Sequence, residues 1–454
     1  MNGSESPAAG APHVLVVAYH YPPAGGVPVR RVLRVLRHLP ASGFRCSVLT
    51  ADHPFDPYHP EDPDGLEGLP PVAHCLRTPA RSGIERALSR IWAWRTRAAV
   101  GAPSSEAAGA AAPGTGLAGL RRWLQDVWLF PDTKRFWIPG AVREALALHA
   151  RDPIDVIWAT GYPWSSFELA ARIASEIARP YALDYRDGWT SNPRRAWDTA
   201  RQRAREERLA AGAAFVTAAT DWIRDELRGR VPGTRIETMT NGYDPSEIPP
   251  DTPPAQGTAH CSFTYTGTFN DAWPPTPTDQ SPWWLLRAVA RLAPAVRADL
   301  RIRLIGRMPD AVRRHVVAEG LDDSVEIAGP VSHRAALGAQ RAADHLLLIV
   351  SDAPGSAGIL TGKLVEYAGA RRPVLALVPE GEARQAIERA HLGTAIAPRD
   401  EAAIADFLEG AVRDWRRSGR PPDTADAPAF LASTQVEGLA ALLREASVDG
   451  RDGR

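Results

Sequence analysis

Lys363 and Glu366 stand three residues apart in the stretch LTGKLVEYAGARRPVLAL, residues 360–377. That spacing places a cation and a carboxylate on one face of a helix. The chain has 53 Lys and Arg, and only Lys134 and Lys363 are lysine. Thr361 and Gly362 read as a cap, and no breaker follows from Lys363 to Ala370. Arg371 and Arg372 fall in the last turn, and Pro373 ends the helix before an apolar strand at 374–378. Lys363 is therefore a cation at the positive end of its own helix, a placement that costs about 0.3–1 kcal/mol if nothing compensates. An anion docked on the free N–H groups of that end reverses the sign. The stretch thus offers a phosphate site, against the plainer alternative of a solvated Lys–Glu pair.

Other residues invite chemistry less strongly. Gly25 and Gly26 follow an apolar strand at 13–18 and let a backbone come close to a ligand. The alternative is a flexible turn, and the pattern is not the GxGxxG of nicotinamide binding. Asp187 follows a strand at 181–186, at the strand end that faces the cleft of such folds. It can orient an acceptor or sugar hydroxyl or take its proton, with Arg186 pairing to it or meeting phosphate. A structural Arg–Asp–Trp cluster with Trp189 is the equal alternative. His20 lies in the opening loop, where it would line the cleft, although a lone loop histidine is more often incidental. Asn241 and Gly242 read as a structural turn, with Asn tolerant of left-handed geometry. No His, Asp, Glu or Cys cluster has metal spacing, and no metal or other cofactor is expected.

These residues need elements to hold them, and the sequence supplies an alternation. Strand-like runs at 13–18, 44–50, 153–160, 181–186 and 213–220 alternate with helical periodicity. In the first helix Val29, Val32, Leu33, Leu36 and Leu39 form an apolar stripe, with Arg30, Arg31, Arg34 and Arg37 on the wet face. Residues 51–152 interrupt the pattern. Residues 245–258 carry five prolines and read as a stiff linker. Strands then recur at 261–267, 301–306, 324–329, 345–350, 373–378 and 393–398. The fold class is α/β, with two Rossmann-like, doubly wound parallel sheets facing a central cleft. The expected division is a disordered 1–12, a first domain at 13–244 with an insert at about 81–137, the linker, a second domain at 259–415, and a C-terminal helix and tail at 416–454.

At 454 residues the chain suits two domains, and its zero formal net charge argues against a dedicated nucleic-acid binder. Arginine in place of lysine, with abundant Ala, Gly and Pro, reads as the mark of a GC-rich genome. Cys46, Cys75 and Cys261 are far apart and odd in number, which fits a reducing cytoplasm. No run reaches the length of a membrane span, and the polar start MNGSESPAAGAP lacks a signal-peptide core. Residues 81–100 and 117–137 mix Arg with Trp, as an amphipathic helix at the inner face of a membrane would. A helical insert packed on the first domain, with its Arg in solvent, is the alternative. Residues 101–116 read as a mobile loop.

In order and spacing, several motifs resemble the family 4 glycosyltransferases of the GT-B fold, in particular their bacterial polysaccharide and glycoconjugate branch. They are YHYPPAGGVPVRRVLRVLRHLPASGFRCSVLT, FPDTKRFWIPGAV, ALDYRDGW, TNGYD, YTGTF, LTGKLVEYAGARRPVLAL and FLASTQVEGLAALLREA. The resemblance implies a retaining transfer of a sugar from a nucleotide-sugar to a hydroxyl acceptor, with a lipid-linked acceptor suiting the insert. It implies that Thr361, Gly362 and Lys363 hold the donor diphosphate, that Glu366 accepts from ribose hydroxyls, and that Gly26, Gly267 and Thr268 line the donor site. It also implies a last helix that crosses back to the first domain. Two departures stand out. The family pairs two Glu residues separated by seven, and the first of these positions is Gly358. The family's Arg and Lys after the first strand of the donor domain are missing from GTFNDAWPPTPTDQSPWW, residues 267–284. Lys363, or an arginine of the first domain, must then carry more of the phosphate charge. A non-catalytic partner subunit and a sugar-nucleotide epimerase or hydrolase are the competing readings on this fold.

Overall fold

The computed structural model describes residues 10–52, 68–80, 130–192, 199–249, 259–269, 280–353 and 355–452. The first half runs β1 (His13–Val17), α1 (Val27–His38), β2 (Arg45–Asp52), β3 (His74–Pro79), α2 (Ile138–Arg151), β4 (Val156–Gly161), α3 (Ser165–Ile177), β5 (Tyr181–Tyr185), α4 (Ala200–Ala211), β6 (Phe215–Ala218), α5 (Asp221–Arg230) and β7 (Ile236–Thr238). Its seven strands form one sheet in the order β3-β2-β1-β4-β5-β6-β7, every pair parallel. The second half runs β8 (Cys261–Thr266), α6 (Trp283–Arg291), α7 (Pro294–Ala298), β9 (Leu300–Ile305), α8 (Asp310–Ala318), β10 (Val325–Gly329), α9 (His333–Ala342), β11 (His345–Ile349), α10 (Gly362–Ala370), β12 (Val374–Leu377), α11 (Glu382–Arg389), β13 (Gly393–Ile396), α12 (Glu401–Ser418) and α13 (Ala432–Asp452). Its sheet is β10-β9-β8-β11-β12-β13, also all parallel. The chain thus folds as two doubly wound sheets. In each, strand order reverses beside the first strand, where loops part and a ligand crevice opens.

Central strands read as unbroken apolar runs because helices cover both of their faces. β1, β4 and β8 are buried along their full length. The edges were harder to see. β3 is half-exposed or exposed apart from the buried Thr78, and β7 has three residues. Neither presents an apolar run, so the sequence reading passed over both.

α13 packs on the first sheet, not the second. Val436, Leu439, Leu443 and Ala446 join a buried cluster with Val14, Val16, Val32 and Leu36. The chain reaches it through a clamped segment. Tyr243 N–H donates to the Phe430 carbonyl and Ala432 N–H to the Tyr243 carbonyl, each at 2.8 Å. A Cβ on Gly242 would lie 2.5 Å from the Ala432 Cα. Asn241 and Gly242 are therefore structural, but neither takes a left-handed φ, and the glycine is there for the close approach of α13. α12 continues through the boundary expected at 415–416. Of the linker, Pro245–Glu247 form one turn capped by the Asp244 carboxylate, which accepts from Ser246 N–H at 2.9 Å. Residues 250–258 lie outside the described set, as do 1–9 and residues 81–129 of the insert. At the end of the insert Trp137 is fully buried and edge-on to Tyr19, so this tryptophan belongs to the core and not to a membrane-facing surface.

The arginines of α1 correct a second expectation. They are not a wet face. Arg31 is buried and makes a two-pronged pair with Asp184, at 2.9 Å from Nε and 2.6 Å from Nη2. Arg34 donates to Glu247 at 3.1 Å and to the Gly242 carbonyl, and Arg37 to Asp244 at 2.9 Å. Burial alone would raise the Asp244 pKa, but hydrogen bonds from His38, Ser246 and Arg37 outweigh it and hold the carboxyl far below its usual range. Periodicity could not separate solvated from paired arginines, because both lie opposite the apolar stripe.

Candidate functional site

The site is built where the start of α1 meets the start of α10. Gly26 takes φ 94°, which lets the opening loop turn directly into Val27. The Val27 side chain rests on Gly362, where an added Cβ would come within 3.3 Å of it. One turn further along both helices, Arg30 Nη1 donates to Glu366 Oε1 at 2.8 Å. Two helix N-termini, the positive ends of both dipoles, thus converge across the cleft.

α10 starts much as its sequence predicts. The Thr361 hydroxyl caps it by accepting from Leu364 N–H at 3.4 Å. Its other end differs from expectation. Arg371 is the left-handed cap, and Arg372 lies past the helix, buried against Asp423 at 2.6 Å and the carbonyls of Ala343 and Asp344. Arg372 anchors the segment leading to α13 and is not a dipole cation.

Lys363 lies over Gly267, with its Nζ 5.3 Å from the centre of the Tyr265 ring. A Cβ on Gly267 would overlap the Lys363 Cε, and one on Gly306 would overlap the Gly267 carbonyl oxygen. Gly267 leaves the slot that the lysine stem occupies, and Gly306 lets the Gly267 backbone pack close against it. Thr268 is exposed just beyond it.

Glu366 is bound on both oxygens. Besides Arg30, its Oε2 accepts from Gln340 Nε2 at 3.2 Å, and that nitrogen also reaches Thr266 Oγ1 at 2.9 Å. His333 opens α9 beside this group. Burial lowers its pKa first and the Arg30 charge lowers it further, which keeps the imidazole neutral near pH 7.

A pocket of about 100 Å³ adjoins the site and is lined by Arg186, Asp187, Asn192, Trp222, Gly358 and Leu360, among others. Asp187 is exposed at its mouth. Arg186 spends its donors on the Gly161 carbonyl, at 2.7 Å, and the Tyr162 carbonyl, and burial lowers its pKa to about 10. Trp189 is buried and stacked on Trp164 at 5.0 Å. Trp189 is therefore a structural brace, Arg186 braces the loop while lining the pocket, and Asp187 is the exposed member of that trio.

Gly358 has a neighbour that explains its identity. A Cβ there would fall 2.5 Å from the Trp222 ring, which reaches over from the first residues of α5. An indole from the first domain fills the space where the family resemblance expects a carboxylate.

The structure therefore brings Gly26, Gly267, Thr361, Gly362, Lys363 and Glu366 together, and sets Asp187 in the adjoining pocket. Gly25 is buried in the loop leading to Gly26. His20 is buried edge-on to Tyr19 rather than exposed on the cleft wall, which corrects its placement. Arg30, Gln340 and Trp222 were missed. Arg30 carried a usable signal, the same as Lys363: a cation in the first turn of its helix, against the dipole. Gln340 and Trp222 carried none. Among the described residues no His, Cys, Asp and Glu cluster could hold a metal ion.

The glycosyl transferase 4-like domain model matches residues 97–242. No curated protein matches the chain. Among solved structures, sucrose-phosphate synthase from Thermosynechococcus elongatus aligns with TM-score 0.58 at 15% identity, covering 97% of this chain and 98% of the other. Anabaena HepE (Alr3699), solved with UDP and glucose, aligns with TM-score 0.57 at 14% identity, covering 95% and 99%. A glycosyltransferase from Rickettsia africae aligns with TM-score 0.54 at 12% identity, covering 96% and 99%. The chain therefore carries a glycosyl transferase 4-like domain over residues 97–242, and along its length it has the two facing parallel sheets of the GT-B fold that these structures share.

Proposed function

We propose that this glycosyltransferase moves a sugar from a nucleotide-sugar to a hydroxyl acceptor with retention, in the building of a bacterial polysaccharide, glycolipid or related glycoconjugate. The observation that carries the reading is the meeting of the α1 and α10 N-termini around Lys363, with Glu366 one turn inside. An anion at that point gains from two helix ends and a fixed ammonium, and a carboxylate stands about 6 Å deeper, at the rise of an α-helix over four residues. That is the arrangement a diphosphate joined to a ribose needs. HepE was solved with UDP, which supports a nucleotide of this kind. In the transfer, the bond from the anomeric carbon to the phosphate oxygen breaks, and charge grows on the leaving diphosphate. Lys363 and the helix ends stabilise that charge where it appears. The leaving phosphate oxygen can take the acceptor's proton on the same face. Asp187 would orient the acceptor or sugar hydroxyl.

Incubation with UDP-, GDP- and dTDP-sugars and a hydroxyl acceptor, followed by NMR of the anomeric proton in the product, tests this. A product that keeps the donor's configuration supports the proposal, and an inverted product refutes retention. Release of free or epimerised sugar with no acceptor would assign the fold a different reaction.

Replacing Glu366 by Ala should weaken nucleotide binding about 10- to 100-fold, the loss expected of hydrogen bonds to a charged group. Titration calorimetry with the nucleoside beside the nucleotide measures it, because losing Glu366 also frees Arg30, and unchanged affinity for both would remove Glu366 from the site. Phosphate recognition by fixed cations and helix ends requires no metal, so turnover should survive EDTA. Activity lost with EDTA and restored by Mg²⁺ or Mn²⁺ would contradict this.

No helix among the described residues is long and apolar enough to cross a membrane. A cytoplasmic enzyme lying on the inner membrane face, with a lipid-linked acceptor, remains our proposal. Its main support is the Arg and Trp pattern of 81–137, most of which is outside the described residues.

A further inference from the structure

We propose that Arg30 is an exchangeable cation of the donor site: Glu366 holds it across the cleft when the site is empty, and the donor's diphosphate takes it when the site is filled. This rests on the nucleotide-sugar reading above. Three observations support it. First, Arg30 comes from the first domain and Glu366 from the second, so the 2.8 Å pair spans the cleft at the carboxylate assigned to the ribose. A ribose hydroxyl that reaches Glu366 Oε1 must share that oxygen with Arg30 or displace it.

Second, the pair is partly exposed, with side-chain exposures of 21% and 14%. Water reaches this part-buried pair, so giving it up costs less than breaking a fully buried one, and a guanidinium on a diphosphate gains a forked contact with charged oxygens in exchange. The distance is also short. Glu366 lies four residues into α10 from Gly362, a rise of about 6 Å, and the long arginine side chain spans that by pivoting. Val27, one turn before Arg30, already touches Gly362.

Third, the site needs the charge. Residues 267–284 contain no basic residue, and Lys363 is the single cation of α10 before its C-terminal cap. When Arg30 leaves, Glu366 keeps Gln340 Nε2 on its other oxygen, which fixes the carboxylate in place for a sugar hydroxyl. The Nε2 atom of His333, at the start of the helix that carries Gln340, is buried and has no hydrogen-bond partner among the described residues, so a polar ligand atom there would supply one.

The test compares binding of UDP, GDP and dTDP with binding of uridine, guanosine and thymidine. Wild type identifies the preferred nucleotide. In Arg30→Ala the affinity for that nucleoside diphosphate should fall at least tenfold. Affinity for the matching nucleoside should stay the same or rise, because Glu366 is released to the ribose. Arg30→Lys should recover part of the diphosphate affinity. In Glu366→Gln, inorganic pyrophosphate should bind more tightly, because Arg30 is no longer held. Equal losses for nucleoside and nucleoside diphosphate would make Arg30 a strut that shapes the site, and no loss for either would make it a bystander; both overturn the proposal. Weaker pyrophosphate binding in Glu366→Gln would overturn it as well. If wild type binds no nucleoside diphosphate at all, the nucleotide reading itself fails, a result distinct from the others.

Discussion

Asp184→Ala should destabilise the first domain by about 3–5 kcal/mol, the cost of breaking a buried ion pair by removing one partner. The carboxylate is fully buried. It accepts from Arg31 twice, and from Thr160 Oγ1 and Thr217 Oγ1 at 2.7 Å each. Removing it leaves the Arg31 charge in the interior with only the carbonyls of Met239 and Thr240 and the Asn241 amide oxygen as acceptors. Urea unfolding followed by tryptophan fluorescence should show a large drop in midpoint, and Thr217→Val a smaller one, since it removes one neutral donor. A midpoint for Asp184→Ala within the range of ordinary surface substitutions would show that the pair adds nothing to stability. The effect reaches the site through neighbouring residues. Arg31 pins the first turns of α1 to β5, and Arg30 and the Gly26 turn stand on those turns.

Lys363→Ala should reduce turnover about 30- to 1000-fold, a barrier increase of about 2–4 kcal/mol, while weakening nucleotide binding much less. Before reaction the diphosphate charge is already shared among helix N–H groups and water. As the bond to the anomeric carbon breaks, further negative charge moves onto the leaving oxygens. A fixed ammonium gains interaction with that new charge, so its absence is felt mainly in the transition state. Lys363→Arg should not restore full activity. The lysine stem fills a slot whose floor is Gly267, and its ammonium lies over the Tyr265 ring. A planar guanidinium is broader there and aims its charge differently. Single-turnover rates beside binding constants separate the two effects. Equal losses in rate and binding would mean that Lys363 only binds the ground state, and normal turnover would make it a surface charge.

Central strands were legible because a strand covered on both faces must be apolar at every position, as β1 and β4 are. β3 and β7 sit at opposite edges of the first sheet and carry no such demand. The N-terminal end of α10 was legible from a local conflict between a cation and a helix dipole. What lay across the cleft was not. Whether Arg30 meets water or Glu366 depends on a residue 336 positions away. The indole of Trp222 likewise reaches Gly358 only once both sheets have formed. The departure at Gly358 was visible in the sequence, but its cause was not, because a missing side chain says nothing of what replaces it. His20 misled for the reverse reason: it stands in a loop of the kind that lines clefts, yet the Tyr19 and Trp137 packing beneath that loop draws it inside.

A crystal structure with the preferred nucleoside diphosphate bound tests the central claim most directly. The account predicts the terminal phosphate against the backbone N–H groups at Thr361–Lys363, with the Lys363 ammonium beside it and a ribose hydroxyl on Glu366. A nucleotide bound elsewhere would contradict it, for instance in the cavity of about 480 Å³ lined by Thr240, Glu382, Arg389 and Phe430.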